Sequence, residues 1–529
     1  MANDSGTTGV LELGRNVWKQ ARPEAAGILV DAAAYYRAFY EAALSAERTI
    51  ILSGWQFDRG VPLLRGDAVP PGAEVRLLAF LNRLCKQKPE LEVFILAWDF
   101  HVVFSLEREW MQTLYFDWVT HERLHFRFDD TQAAQGSHHQ KFVVIDRSIA
   151  FAGGIDLCEA RWDDRKHRQD NPSRVSHGVP AKPYHDLQAY FVGCDTADVL
   201  RELFEDRWAR TAGPKLALPD CRNGTLASYS PREGLPLGAS AVAFSRTDAR
   251  GPRQSVREIE SVFLEAIAAA ERLLYIETQY FSSHAISEAL LARMRQPERP
   301  ALEIVIVVNA KPEALKEELA VGLRQTKILS QLTQTAGAFG HQLGIYGSRC
   351  DGDAPDRLAT YIHSKLLIVD DRLLSVGSAN WTNRSMGVDT ELQVSWEATG
   401  DAEADRQLCE RIRAVRVSLL EEHAGLEGAA PGAPTVDLDS IEGLVSRLDQ
   451  LAAVDNARLI RHADASATKQ LILKLFDPEA LPFDPAEPEY SEDSDGAEEE
   501  RQPQGFMARV SSLRDEVKAF ATRARRRPT

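Results

Sequence analysis

A histidine, a lysine and an aspartate occur twice in the order H-x-K-x-x-x-x-D, as His139, Lys141 and Asp146 and again, 224 residues later, as His363, Lys365 and Asp370. Residues two apart in an extended strand project from one face, so each histidine is expected beside its lysine. Two imidazoles and two ammoniums converging on one point make a phosphate site. The lysines supply positive charge and donors for non-bridging oxygens. One imidazole can attack phosphorus to give a phosphohistidine. The other can protonate the departing alcohol and then deprotonate the incoming water or alcohol. Metal ligation by His139 and His363 is the weaker reading, because the neighbouring lysines repel a cation; neither a metal nor another cofactor is expected. Asp146 and Asp370 follow their lysines at an odd spacing, which turns them to the opposite strand face as buried acceptors for nearby backbone.

Further candidates follow each triplet. The runs GGID (Gly153 to Asp156) and GSAN (Gly377 to Asn380) come after the next strand in each copy. Gly154, Asp156, Ser378 and Asn380 are expected to line the phosphate, the serine and asparagine as donors and the glycine by close backbone approach. A nucleophilic histidine also needs an acceptor on its second nitrogen to fix its tautomer. HDLQAY and TELQVS align and place Asp186 opposite Glu391 as matched candidates. The offset there is 205, so the first copy holds about nineteen additional residues, assigned to DRKHRQDNPSRVSHGVPAKP. The register selects His139 over its neighbour His138.

The repeat extends to the elements that must carry these groups. FYEAALSAER from Phe39 overlays FLEAIAAAER from Phe263 at the same 224 offset. AAAYYRAFYEAALSAER has helical periodicity, whereas TIILSGWQF, LEVFILAW, KFVVID and IAFAGG read as short buried strands, with counterparts in LLYIETQYF, LEIVIVVN, KLLIVD and LLSVG. Helices alternating with apolar strands predict two pseudo-twofold-related α/β/α sandwich domains with mixed, mostly parallel sheets and a site at their interface. The expected domains are residues 12–213 and 251–425, joined by a Gly/Pro/Ser/Arg-rich linker at 214–250. A helical extension follows at 426–483, then an acidic segment at 484–504 too polar to fold alone. Residues 505–529 place Phe506, Val510, Leu513, Val517 and Phe520 on one helix face among arginines, a pattern suited to an anionic membrane or to a partner.

With 529 residues, 44% of them hydrophobic, the chain can build more than one core, and its net charge of −16 disfavours a general nucleic-acid binder. Six scattered cysteines show no zinc spacing. The N-terminal stretch lacks a basic region followed by an apolar one, and no run reaches membrane-spanning length, so a cytoplasmic protein with peripheral membrane contact is expected.

The duplicated triplets resemble the signature of the phospholipase D superfamily. SHHQKFVVIDRSIAFAGGIDLCEARWDD, YHDLQAYFVG, RELFEDRW, YIETQYF and YIHSKLLIVDDRLLSVGSANWTNRSMGVDTEL are similar to successive blocks of true phospholipases D, over roughly residues 12–425. The resemblance implies a ping-pong reaction with His139 as nucleophile and His363 as acid then base. Lys141, Lys365, Asn380 and Ser378 would hold phosphate, the substrate being phospholipid at a membrane surface and the product phosphatidate, with transphosphatidylation to alcohols. Trp381 and Thr382 depart from the usual smaller apolar residue and asparagine. A cardiolipin-synthase-like phosphatidyltransferase, a phosphodiesterase acting on nucleic acid and a non-catalytic membrane scaffold are the competing readings.

Overall fold

The computed structural model describes residues 9–98, 120–132, 136–211, 229–249, 255–309, 322–352, 357–400, 402–426 and 436–462, together with 216, 218, 219 and 484. Residues 1–488 form one compact unit and 489–529 another. The expected basic helix at 505–529 and the helix read in ATKQLILKLF lie outside the described residues.

Both halves build a sheet in the same strand order. In the first, Ala25–Val30, Leu187–Val192, Ile149–Gly153, Phe142–Ile145, Thr49–Gly54, Glu92–Trp98 and Leu124–Asp129 lie side by side. In the second, Val242–Ala249, Glu391–Glu397, Leu373–Gly377, Leu366–Val369, Leu273–Thr278, Glu303–Val308 and Gln342–Arg349 repeat that order. Register is repeated too: Ile50 faces Ile145 as Leu274 faces Val369, and Leu52 faces Val143 as Ile276 faces Leu367.

The sheets are mixed but not mostly parallel. Among the seven strands named for the first sheet, only the pairs Thr49–Gly54 with Glu92–Trp98 and Glu92–Trp98 with Leu124–Asp129 run parallel. The other neighbours run antiparallel, and one pair in each sheet is a tight hairpin. Phe142–Ile145 and Ile149–Gly153 join through Asp146 and Arg147, both left-handed (φ 48° and 51°), and Leu366–Val369 and Leu373–Gly377 through Asp370 and Asp371 (φ 54° and 56°). Such tight turns match the twist of antiparallel strands.

Alternation along the strands distributes side chains between separate cores. Ile50 and Leu52 meet the helices Asp31–Ser45 and Leu77–Gln87, while Ile51 joins a central core. Leu274 and Ile276 face the helices Glu258–Ala269 and His284–Met294, while Leu273 and Tyr275 join the same central core. Helices Cys194–Arg210 and Glu403–Ala424 also pack into that centre, so each sheet carries helices on both faces.

Several segments depart from the expected domain plan. The stretch read as a linker contributes Gly234–Gly238 to the first sheet and Val242–Ala249 to the second. In the C-terminal extension, Leu444–Ala452 is helical and Leu459–Arg461 adds a strand to Gln342–Arg349. Asp484, placed by composition at the start of a solvated segment, is instead buried. Its carboxylate accepts from Ser282 Oγ (2.6 Å), Arg324 Nη1 (3.1 Å), Asn383 Nδ2 (3.1 Å) and Arg384 N (2.9 Å), a set that neutralises it locally. Among the described residues no helix is long and apolar enough to cross a membrane.

Asp146 and Asp370 sit in the hairpin turns, past the strand ends rather than on an opposite strand face. Asp146 accepts from three consecutive amides, Glu47 N, Arg48 N (2.8 Å) and Thr49 N (2.7 Å). Asp370 does the same with Glu271 N (2.8 Å), Arg272 N (2.7 Å) and Leu273 N (2.7 Å). Each ties its hairpin to the start of the neighbouring strand. Asp146→Ala is expected to destabilise the chain by about 2–3 kcal/mol, because three amides lose a charged acceptor. Asp146→Asn should recover part of that loss, and an unchanged denaturant midpoint in Asp146→Ala would contradict the assignment.

Candidate active site

The two motifs meet where each half borrows backbone from the other. His138 forms a parallel bridge with Thr390. His139 N donates to Thr390 O (2.9 Å), and Thr390 N to Ser137 O (2.9 Å). In the mirrored arrangement Tyr184–His185 pairs in parallel with Tyr361–Ile362, and His363 N donates to His185 O (2.8 Å). The H-x-K residues therefore do not lie on the regular strands, which begin at Phe142 and Leu366. Their histidine amides are used across the interface, which takes them out of the sheet ladder.

These short pairings set each histidine beside a carboxylate from the opposite half. His139 Nδ1 lies 3.0 Å from Glu391 Oε2 and 3.0 Å from Ser378 O. His363 Nδ1 lies 2.6 Å from Asp186 Oδ2. The acceptors are crossed: the second copy serves the first histidine and the first copy the second. A bond at Nδ1 leaves Nε2 as the other ring nitrogen of each imidazole.

Around this axis the lysines fold back. Lys141 Nζ donates to His139 O (2.9 Å) and lies 3.3 Å from Asp156 Oδ2. Lys365 Nζ donates to His363 O and to Gln279 Oε1 (3.3 Å). Asp156 also accepts from Trp55 N (2.9 Å), so its carboxylate is engaged by a lysine and an amide. Ser378 Oγ donates to Glu391 Oε2, and Ser385 Oγ donates to Glu391 Oε1 (2.7 Å). The Gly154 amide donates to Leu187 O (3.0 Å), and a Cβ there would stand 2.2 Å from Asp186 Oδ1. Asn380 is buried with Oδ1 lacking a hydrogen-bond partner. Of the expected phosphate-lining residues, Asn380 alone has an uncommitted side-chain atom; the others serve Lys141, Glu391 or Asp186.

Gln279, Ser385 and Arg161 do not stand out in the sequence. Arg161 donates to Tyr184 OH, and the Tyr184 ring centroid lies 5.2 Å from that of His363. No local pattern announces these three; Gln279 meets Lys365 from 86 residues away, while Ser385 reaches Glu391 from a short helix six residues before it. His138 faces away from the pair, with Nε2 2.9 Å from Asp129 Oδ1.

Burial and like charge set the protonation states. Burial, then the ammoniums of Lys141 and Lys365, hold His139 well below the ordinary imidazole range. Burial, then Lys365, Arg161 and Lys141, do the same to His363. Both rings are neutral at neutral pH, as a nitrogen nucleophile or a base requires. Burial pushes Asp186 up to about 6 against the pull of Lys365, and burial with the nearby Asp389 pushes Glu391 up to about 8. Burial draws Lys365 down to about 7, opposed by Asp186. An anion entering the site reverses the downward shifts of His139, His363 and Lys365 by favouring their charged forms.

A second buried network lies behind His363. His185, adjacent to Asp186, contacts Glu422 and Glu277, and His167 contacts Asp163 and Glu422. Burial alone would depress the His167 imidazole, but Asp31, Asp163 and Glu422 outweigh it and hold it up at about 10.

The family described as "Phospholipase D" matches residues 42–233, and that described as "Cardiolipin synthase, PLD-like domain" matches residues 263–413. One falls on each half, together they take in more than half of the chain, and the protein belongs to the phospholipase D superfamily. It is 25% identical over 502 residues to phospholipase D alpha 4 of Arabidopsis thaliana, covering 76% of this chain and 65% of that one. Against phospholipase D alpha 1 of Zea mays it is 25% identical over 513 residues, covering 73% and 63%. The chain thus spans a little under two thirds of the length of these curated relatives. Among solved structures it is similar in fold to phosphatidylserine synthase of Haemophilus influenzae Rd KW20, with a TM-score of 0.52 and 15% identity over 86% of this chain and 94% of that one.

The position of Lys365 generates a pH test. Its ammonium favours an anion, and with a pKa of about 7 in the ligand-free chain that charge is lost as pH rises. Sulfate, which does not titrate in this range, should bind about tenfold more weakly at pH 8 than at pH 6, the ratio expected when only the protonated lysine binds. Lys365→Arg should remove that tenfold share, leaving only what ionisation of Asp186 and Glu391 contributes over the same range. Calorimetric affinities independent of pH in the unmodified chain would contradict the assignment.

Proposed function

We propose that the chain is a phospholipase D type phosphodiesterase that cleaves the bond between phosphate and head-group alcohol in phospholipids. The observation that carries this reading is the crossed pair of neutral, carboxylate-oriented histidines, each next to its lysine. His139 Nε2 attacks phosphorus while the phosphorus–oxygen bond to the head group breaks. The departing alkoxide takes a proton from His363, whose imidazole becomes protonated as the anionic phosphodiester enters. Neutral His363 then removes a proton from water, the resulting hydroxide displaces His139 from phosphorus, and phosphatidate is released. Assignment of the attack to His139 is supported by its greater exposure, 16% of its side chain against 6% for His363, and by the family resemblance.

The remaining groups divide into holders and binders. Lys141, Lys365 and the Asn380 amide contact phosphate oxygens. Asp156 keeps Lys141 in place and does not itself bind the anion, since a carboxylate repels it. Ser378 orients Glu391, and Gly154 clears room for Asp186. Phosphatidyl transfer to an alcohol uses the same intermediate, with the alcohol in place of water. A membrane surface is the setting in which such a substrate is met, and no cofactor takes part in these steps.

His363→Asn should slow hydrolysis of a phosphatidyl ester with an alkyl head group by about 10²- to 10⁴-fold, the usual loss when an acid–base group is removed. With an aryl leaving group, which needs little protonation, that variant should still form the adduct and then stall. Quenching in denaturant at alkaline pH and mapping by mass spectrometry should place the phosphatidyl group on His139, and His139→Asn should form none. Ethanol should divert product of the unmodified chain to phosphatidylethanol. An adduct on His363, or cleavage of DNA without any action on phospholipid, would overturn the proposal.

A further inference from the structure

Behind the active site, four buried side chains bring one ligating atom each within 4.8 Å of one another: Asp31, His167, His185 and Glu422. Asp31, His167 and His185 belong to the first half and Glu422 to the second. His185 Nδ1 is 2.7 Å from Glu422 Oε1 and 3.2 Å from Asp31 Oδ1. His167 Nε2 is 3.1 Å from the same Glu422 oxygen and 3.5 Å from Asp31 Oδ2. Around zinc, with nitrogen and oxygen ligands at about 2.0–2.2 Å, a tetrahedron has edges of about 3.3 Å. The distances from Glu422 Oε1 to the two imidazole nitrogens, and from each imidazole to its nearer Asp31 oxygen, are of that order.

Two independent features point to an ion. Each imidazole has a carboxylate on its remaining nitrogen: His167 Nδ1 lies 2.8 Å from Asp163 Oδ2, and His185 Nε2 lies 3.0 Å from Glu277 Oε2. Metal-binding histidines are oriented in this way by an outer carboxylate, which fixes the tautomer and raises ligand basicity. In addition, Asp31 Oδ2 is buried with no hydrogen-bond partner, on a residue held at φ 65°. A buried carboxylate oxygen without a hydrogen bond is costly, and an ion at this point would meet it more closely than the His167 ring does at 3.5 Å. Binding of the ion would displace a proton from each imidazole, and the two neutral imidazoles with two carboxylates would then carry −2, which one divalent cation cancels in place of those protons.

We propose that Asp31, His167, His185 and Glu422 form a structural site for a divalent cation of the zinc class, riveting the two halves together behind the catalytic histidines. His139 and His363 are not ligands, so the site is separate from the phosphate chemistry. Its place is consequential, because His185 O accepts from His363 N and the next residue, Asp186, orients the His363 ring. His167 lies in the additional segment of the first half, so the second copy has no equivalent of this site.

Metal analysis of the full chain grown with zinc should find about one zinc per chain, as for closed structural sites. The His139→Asn/His363→Asn double variant should keep it, and His167→Gln should fall below about a tenth of an equivalent. Cobalt-loaded chain should show the intense visible absorption of a tetrahedral centre. Should His167→Gln fail to fold, zinc content and the cobalt spectrum of the unmodified chain still decide. Folded unmodified chain that retains no divalent metal after growth or refolding in zinc would overturn the proposal. So would loss of the metal in the double variant, or its full retention in His167→Gln.

Discussion

Neither histidine can be oriented by its own half. The ring of His139 is held from Nδ1 by Glu391, and that of His363 by Asp186, each acceptor lying on the facing half. A two- or three-residue parallel pairing delivers each acceptor, Ser137 to His139 against Thr390 and Tyr361 to His363 against the segment Tyr184–His185. Because the amides of His139 and His363 are themselves bonds in those pairings, a small slip of one half against the other would misplace both rings at once. The central core shared by the two sheets is what prevents that slip. Ile51, Val144 and Phe191 from one sheet and Tyr275, Ile368 and Trp396 from the other are all buried within it.

Collecting imidazoles and ammoniums in a buried interface is electrostatically unfavourable, and the structure shows how that cost is limited. Both rings are kept neutral, and Lys141 is set against Asp156. Lys365, whose partner Gln279 is uncharged, is instead drawn down in pKa. The near-symmetric copies thus differ in a definite way: one lysine has a carboxylate partner 3.3 Å away, and the other has an uncharged amide. Asp156 and Asn380 stand at matched positions of the repeat, and that single difference accounts for much of the asymmetry.

The 224-residue offset in the sequence is enough to anticipate the paired strands, because hydrophobic period and repeat register are local properties that survive into the sheet. The matching registers of Ile50 with Ile145 and Leu274 with Val369 show how far that carries. Asp186 and Glu391 are visible as matched carboxylates, but which histidine each serves depends on how the halves dock. That information is not local. The same limit explains the mostly antiparallel pairing, which joins strands far apart in sequence such as Ala25–Val30 with Leu187–Val192, and the strands in the stretch read as a linker. Proximity to the motif marks Ser378, Gly154 and Asp156 as phosphate contacts. In the fold they are committed to Glu391, Leu187 with Asp186, and Lys141 respectively, and only the long-range contacts reveal it. Asp484 is hidden by its acidic surroundings, since composition averages over a window and misses one residue with a complementary site.

The crossed pairing can be observed directly by nitrogen NMR of selectively ¹⁵N-histidine-labelled chain, with the two resonance sets identified through His139→Asn and His363→Asn. In the unmodified chain both rings should be neutral near pH 7, protonated at Nδ1 and free at Nε2. Glu391→Gln should then shift the His139 nitrogens and leave those of His363 nearly unchanged, while Asp186→Asn should do the reverse. If Glu391→Gln instead moved His363 and spared His139, each half would be orienting its own histidine, and the crossed arrangement of acceptors would be refuted.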